Sequence, residues 1–208
     1  SDVLAAADLS APQSWDDLLD PALHGLVSMA HPASSGTAYT AVWTLMTLND
    51  LDEDATFNYL ERLDENIIEY TKSGSAPVQV VSDGDAAVGV VFAHDCTAAI
   101  ANSATHLQLT FPEEGTGFET GATAIVNGAP DAEAARMWID WALTAEAQEV
   151  GAQALAFQLP MNSDARVSEL SVDLDSIQLV SYDSGAAGEQ RDALSARFEE
   201  QFGPKPES

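Results

Sequence analysis

An α/β fold is predicted for this chain, and three observations predict it. Short apolar runs of strand length alternate with segments of helical periodicity. Two turns of small Ser, Gly and Thr residues each stand just before a helical segment. Hydrophobic residues make up 46% of the 208, enough to bury a sizeable core in one domain or two small ones.

The elements follow in order. Residues 14–19 read as a helix start, because Ser14 can cap it and Asp16 and Asp17 suit the positive end of its dipole. Residues 26–30 form a short strand that runs into the turn 32–37 (PASSGT). A helix follows with Ala38, Val42, Leu45 and Met46 on one face, and a second covers about 53–63. Residues 70–75 (YTKSGS) make a second small polar turn, and 77–81 a short helix. The apolar run 87–92 (AVGVVF) reads as a strand with His94 and Asp95 at its carboxyl end. Residues 106–111 alternate as a strand, 112–121 (PEEGTGFETG) read as a crossing segment between lobes, and 122–126 as another strand. Asp131 caps a helix with Ala135, Trp138, Ile139 and Ala142 on one face; Thr144 caps the next, and 157–164 form a loop. A last helix covers about 186–202, and 203–208, with two prolines and no apolar anchor, read as disordered. Trp43, Trp138 and Trp141 are expected in helix cores.

The charge balance is extreme, with 34 acidic residues against 7 basic ones and a net charge of -27. Such a surface repels phosphate backbones and anionic headgroups, which argues against nucleic-acid and membrane-surface roles. The carboxylates are spread along the chain, as on a solvated acidic face. The lone Cys96 cannot form an internal disulfide, so it does not report the redox compartment. No apolar run is long enough to cross a bilayer; no signal peptide is read in the sequence, and a start at Ser1 in mid-sequence style is compatible with an export signal removed ahead of it.

Two constellations can carry chemistry. Ser34, Ser35, Gly36 and Thr37, and then Ser73, Gly74 and Ser75, stand at strand-to-helix turns. Free N–H groups at a helix start, the positive dipole end and nearby hydroxyls together make an anion site that needs no lysine. The bland alternative is that these residues only cap helices. Two such turns at the carboxyl ends of strands point to a shared ligand site. The second constellation, His94 and Asp95, offers a donor beside an acceptor for sugar hydroxyls, an amine or a metal; it is equally what an ordinary polar strand end presents. Enzyme motifs are missing: no G-x-S-x-G elbow, Walker A loop, dinucleotide fingerprint, HExxH or cysteine–histidine zinc spacing. No enzyme activity, cofactor or metal site is expected.

Residues 14–21 (SWDDLLDP), 31–40 (HPASSGTAYT), 70–77 (YTKSGSAP) and 112–119 (PEEGTGFE) resemble the iron(III)-type solute-binding proteins of ABC importers. Residues 131–153 resemble that family's helix pair, with Ile139-Asp140-Trp141 and Glu146-Ala147-Gln148-Glu149 in place. The likeness covers nearly the whole chain. It implies a type II periplasmic-binding-protein fold, in which two α/β lobes close on a ligand. Residues 14–113 match the second, ligand-binding lobe, 114–121 a hinge crossing, and 122–208 the carboxyl-terminal, mostly helical part of the first lobe. The amino-terminal part of that lobe, roughly a hundred residues in the family, has no counterpart here. Its absence implies exposed apolar surface and self-association.

The resemblance also bears on the ligand. Ferric-ion binders of this family carry two adjacent tyrosines where this chain has Ala93 and His94, and neither Tyr39 nor Tyr70 takes that place. Hard Fe(III) favours phenolate and carboxylate oxygens. His94, Asp95 and Glu119 instead resemble the family's sugar-phosphate binders, which hold hydroxyls with His, Asp and Glu and the phosphate on Ser/Gly/Thr turns. Phosphonate binders share those turns. The implied function is capture of a small anionic solute outside the cytoplasm, in the periplasm or as a surface lipoprotein, for a membrane permease. The alternatives are ferric-ion capture, an enzyme on a similar scaffold, and a ligand-free fragment. Two departures from the pattern are His31, where Asn or Asp is usual, and Ala38, where Gly is usual.

Overall fold

A computed structural model describes residues 2–203. The predicted disorder of 204–208 lies outside the described residues. In chain order the elements are α1 (Asp2–Ala6), β1 (Val27–Ala30), α2 (Gly36–Leu48), α3 (Glu53–Asp64), β2 (Ile67–Thr71), α4 (Ala76–Asp83), β3 (Val88–Val90), α5 (Ala93–Ala101), α6 (Ala132–Ala142), α7 (Ala145–Gln153) and α8 (Ser184–Phe202). Short 3-10 turns cover Asp16–Leu19, Pro21–Leu23 and Leu174–Ser176. The chain divides into two compact units. One holds the residues up to Glu119 together with those from Asp173 on; the other is Thr120–Val172.

The first unit is built on a three-stranded parallel sheet in the order β2-β1-β3. Val27 pairs with Ile67 on one side and Val88 on the other. All four β1 residues are buried, as a parallel strand covered by helices requires. Val27 and Met29 share one hydrophobic core with Val42, Trp43 and Met46 of α2, Phe57 and Leu60 of α3, and Leu194 and Phe198 of α8. The residues of α2 from Ala38 through Met46 are buried without a break, so this helix is central and not one-faced as its periodicity predicted. Two of its hydroxyls are satisfied within the helix, where Thr44 and Thr47 donate to the carbonyls of Thr40 and Trp43. Buried Asn66 ties the entry of β2 to the first 3-10 turn by donating to the carbonyls of Leu18 and Asp20. Phe198 is fully buried and packs against the rings of His31, Tyr70 and Phe202. Arg197 bonds Glu53 and Asp54 and lies 4.1 Å over the Phe57 ring, which fastens α8 to α3.

In the second unit Asp131 caps α6 by accepting from Ala134 N–H, and Thr144 caps α7 by accepting from Ala147 N–H, both as expected. Arg166 bonds Glu149 with two side-chain nitrogens, and its backbone N–H adds a third bond. These contacts hold Glu149 below the usual carboxylate range. Phe157 and Ala165 are buried, whereas Met137, Trp138 and Trp141 of α6 are more than half exposed.

Several expectations are corrected. Residues 106–111 and 122–126 form no strand among the described residues; the alternation is there but no neighbouring strand pairs with it. β2 stands where the sequence reading had only the start of a turn. His94 and Asp95 lie in the first turn of a helix, α5, not on an irregular strand end. Trp43 is a core residue, but Trp138 and Trp141 are not buried. The last helix, α8, contributes to the core of the unit that holds the sheet.

Candidate ligand-binding site

The chain leaves all three parallel strands at one edge of the sheet, and each exit carries candidate residues. After β1, the backbone N–H of His31 continues the ladder by donating to Thr71. The His31 carbonyl then accepts from the N–H groups of Ser34 and Ser35 and from the Ser34 hydroxyl. This turn delivers Ser35 to the N-cap of α2, where its hydroxyl accepts from Ala38 N–H at 3.4 Å. Gly36 and Thr37 form the first turn of the helix, so their N–H groups have no partner within it. Ser35 is buried, and Gly36 and Thr37 are half-buried.

After β2, the Thr71 hydroxyl donates to the Ser73 carbonyl and closes the second turn. Ser75 takes the N-cap position of α4, yet its side chain caps nothing; its hydroxyl lies 3.2 Å from that of Ser73 instead. Capping therefore accounts for Ser35 but not for Ser73 or Ser75. The two turns touch. A Cβ placed on Gly74 would lie 2.2 Å from Thr37 Oγ1, 2.6 Å from Thr37 Cβ and 2.8 Å from Ser35 Oγ. The Ser34 hydroxyl also lies within bonding distance of the Lys72 carbonyl, at 3.2 Å. Glycine at position 74 is what lets the backbone of one turn rest on the side chains of the other.

After β3 comes Phe92, which stacks on His94 with ring centroids 5.6 Å apart. His94 Nε2 is 3.6 Å from Asp95 Oδ1, and both side chains are about a quarter exposed. The pair shares the sheet edge with the turns by topology. Glu119 reaches the same region from the crossing segment, its Oε2 3.5 Å from where a Gly36 Cβ would stand. That segment approaches α2 closely at Gly117, where a Cβ would collide with Thr44 Oγ1 and the Tyr182 ring.

Sequence reasoning passed over two nearby residues. His31, noted only as a departure, organises the first turn. Tyr182 packs against Phe118 and Gly117 beside Glu119, and no local pattern in residues 177–183 signals it.

All four tyrosines hold their protons more tightly than usual. Burial pushes Tyr39 up to about 12 and raises Tyr59, Tyr70 and Tyr182. The first three are also committed as donors, to the carbonyls of Ala187 and Trp15 and to the carboxylate of Asp64. A phenolate ligand for a hard cation is therefore costly to form here. Among the described residues no group of three or more His, Cys, Asp and Glu side chains could hold a metal ion.

A protein of Haemophilus influenzae (strain ATCC 51907 / DSM 11121 / KW20 / Rd), itself uncharacterized, is 40% identical over 186 residues, which is 88% of this chain and 53% of that one. The periplasmic binding protein AfuA from Actinobacillus pleuropneumoniae, solved with exogenous fructose-6-phosphate bound, is 36% identical with a TM-score of 0.91. That likeness covers 97% of this chain and 63% of AfuA. A Bordetella ferric binding protein shares the fold at 16% identity and a TM-score of 0.70, over 95% of this chain and 66% of its own. The chain thus spans about half the length of its curated relative and under two thirds of AfuA. The fold is that of periplasmic binding proteins. Residues 1–173 match the family model for bacterial extracellular solute-binding proteins, and the chain belongs to that family.

Proposed function

We propose that the chain is the ligand-gripping part of an ABC-importer solute-binding protein that captures a phosphorylated small solute of the sugar-phosphate type. The observation that carries this reading is the seating of Gly74 on Ser35 and Thr37, which gathers the donors of two helix starts at one place. The phosphate sits on Ser34, Ser35, Gly36 and Thr37 and on Ser73, Gly74 and Ser75. His94, Asp95 and Glu119 bond the solute's hydroxyls. The likeness to AfuA, whose structure holds fructose-6-phosphate, supports the same class. The implied partner is a membrane permease, and the implied location is outside the cytoplasm. Among the described residues no helix is long and apolar enough to cross a membrane. The role is that of a carrier and not of an enzyme.

Ferric-ion capture is the competing reading, and the raised, hydrogen-bonded tyrosines weigh against it. Calorimetry separates the two, run on this chain and on the chain extended by the further length its relatives carry. Fructose 6-phosphate is expected to bind, and Ser35→Ala with Ser73→Ala to weaken it by roughly a hundredfold or more, since each charge-assisted bond contributes about 1.5–3 kcal/mol. His94→Ala is expected to change which sugar phosphate is preferred while leaving inorganic phosphate nearly unaffected. Tight ferric binding with a tyrosinate charge-transfer band, and no heat from any phosphate or phosphonate, overturns the reading.

A further inference from the structure

We infer that His31 is the positioning residue of the first turn: its ring holds Ala33, the amide that leads into Ser34, Ser35 and the start of α2, in place only while Nδ1 is unprotonated. This rests on the anion-site reading for its functional consequence, but its structural content stands apart from it.

The geometry defines which ring nitrogen does what. Nδ1 accepts from the N–H of Ala33 at 3.2 Å, so in the neutral ring the proton belongs to Nε2. Nε2 is buried without a hydrogen bond and lies 3.7 Å from Glu199 Oε2 on α8. The ring is clamped edge-on between Tyr70 of β2, at 5.9 Å, and Phe198 of α8, at 5.1 Å. Its own carbonyl receives the N–H groups of Ser34 and Ser35. One residue therefore anchors three consecutive amides, Ala33 through its ring and the next two through its backbone, and those amides lead directly into Gly36 and Thr37.

A second proton must go on Nδ1. It replaces an acceptor with a donor facing the Ala33 N–H, so that bond is lost and the two groups repel. The imidazolium is drawn toward Glu199, the charged group that faces it from α8. From β2 the facing titratable group is Tyr70, whose hydroxyl is engaged with Asp64 of α3. Burial lowers the pKa of His31, and Glu199 raises it by a smaller amount. Acidification accordingly pulls the ring from the turn toward the last helix. The consequence opposes simple electrostatics. A new positive charge near an anion site should strengthen anion binding, whereas loosening the turn weakens it.

The test has two arms. In the first, nuclear magnetic resonance on the ligand-free chain follows the His31 ring nitrogens and the amides of Ala33, Ser34 and Ser35 between about pH 7.5 and 5. We expect an unprotonated Nδ1 at the upper end and amides that shift in step with its titration. In His31→Asn the amides should stay near their neutral-pH positions at every pH, because an Asn side chain can accept from the N–H two residues on. In His31→Phe they should be displaced throughout. In the second arm, calorimetry with fructose 6-phosphate compares wild type with His31→Asn at each pH, which cancels the titration of the phosphate itself. The wild-type affinity should fall about two- to tenfold relative to His31→Asn on acidification, the factor of one ordinary hydrogen bond. Amides that ignore the His31 titration, a proton on Nδ1 at neutral pH, or a wild-type affinity that rises relative to His31→Asn each overturn the inference. Should His31→Phe not fold, the wild type and His31→Asn decide alone. Coupled amides with no phosphate binding in any variant would sink the functional reading and leave the positioning role standing.

Discussion

Replacing Gly74 with alanine tests the convergence of the two turns most directly. Gly74 has no positive φ, so alanine meets no backbone penalty there, and the effect is steric. Its Cβ would stand 2.2 Å from Thr37 Oγ1 and 2.6 Å from Thr37 Cβ. Ordinary contact lies near 3.5–4.0 Å, so the turns must separate by roughly 1 Å. Rotation of the Thr37 hydroxyl relieves the first contact but not the second, because Thr37 Cβ is fixed to the backbone of α2. Overpacking of this kind costs about 1–3 kcal/mol of stability. For a bound phosphate the consequence is larger. A hydrogen bond lengthened by ~1 Å no longer counts as one, so a ligand spanning both turns keeps the donors of only one. Losing a single charge-assisted bond of about 1.5–3 kcal/mol lowers affinity about ten- to a hundredfold. Urea denaturation reads the first effect and calorimetry with fructose 6-phosphate the second. Gly188→Ala on α8 is the control, since nothing lies within 4 Å of its added Cβ, and removing a helical glycine should stabilise by about 0.5–1 kcal/mol. A Gly74→Ala protein as stable as wild type and with unchanged phosphate affinity would refute the idea that these turns act together.

Alkali should unfold the chain through its tyrosines. Their raised pKa values favour the neutral ring in the folded state, so that stability is complete below about pH 10 and is lost as pH rises toward 12 and beyond; Tyr70→Phe should flatten the loss, measured by circular dichroism. Self-association should follow from the apolar surface of the second unit, where Met137, Trp138, Trp141, Leu143 and Val150 are each about half exposed or more. Sedimentation velocity should show concentration-dependent association that Trp138→Ser with Trp141→Ser reduces, and a strict monomer at all concentrations would contradict it.

The parts of the fold legible in the sequence are those decided locally. Asp131 and Thr144 announce their helices because a cap needs only a side-chain oxygen and an N–H three residues on. The apolar run at 26–30 could be read as a strand because a central parallel strand is apolar on both faces. β2 was less visible: Glu69 and Tyr70 interrupt its apolar pattern, and only pairing with β1 makes a strand of it. The reverse error occurred at 122–126, where strand-like residues find no neighbouring strand. Strand formation depends on a partner that lies elsewhere in the chain, and helix capping does not.

The candidate site shows the same division in its chemistry. Small hydroxyl-bearing turns before helices identify an oxyanion-friendly backbone from composition alone, since the donors are main-chain groups whose direction the helix fixes. A net charge of -27 does not argue against such a site. Exposed carboxylates more than about 10 Å away are screened at ordinary salt, whereas N–H donors act at contact distance in a partly buried turn. What local sequence could not supply was distance: that Gly74 lies on Thr37, that Glu119 returns to Gly36, and that Nδ1 of His31, not Nε2, faces the turn. The last of these depends on the rotamer of one ring, which Tyr70 and Phe198 clamp from β2 and α8. A histidine in a position where the family usually has Asn or Asp preserves the acceptor those residues offer. It also makes that acceptor titratable, with burial moving its protonation to the acid side of an ordinary histidine, and the clamp ties its state to the last helix of the chain.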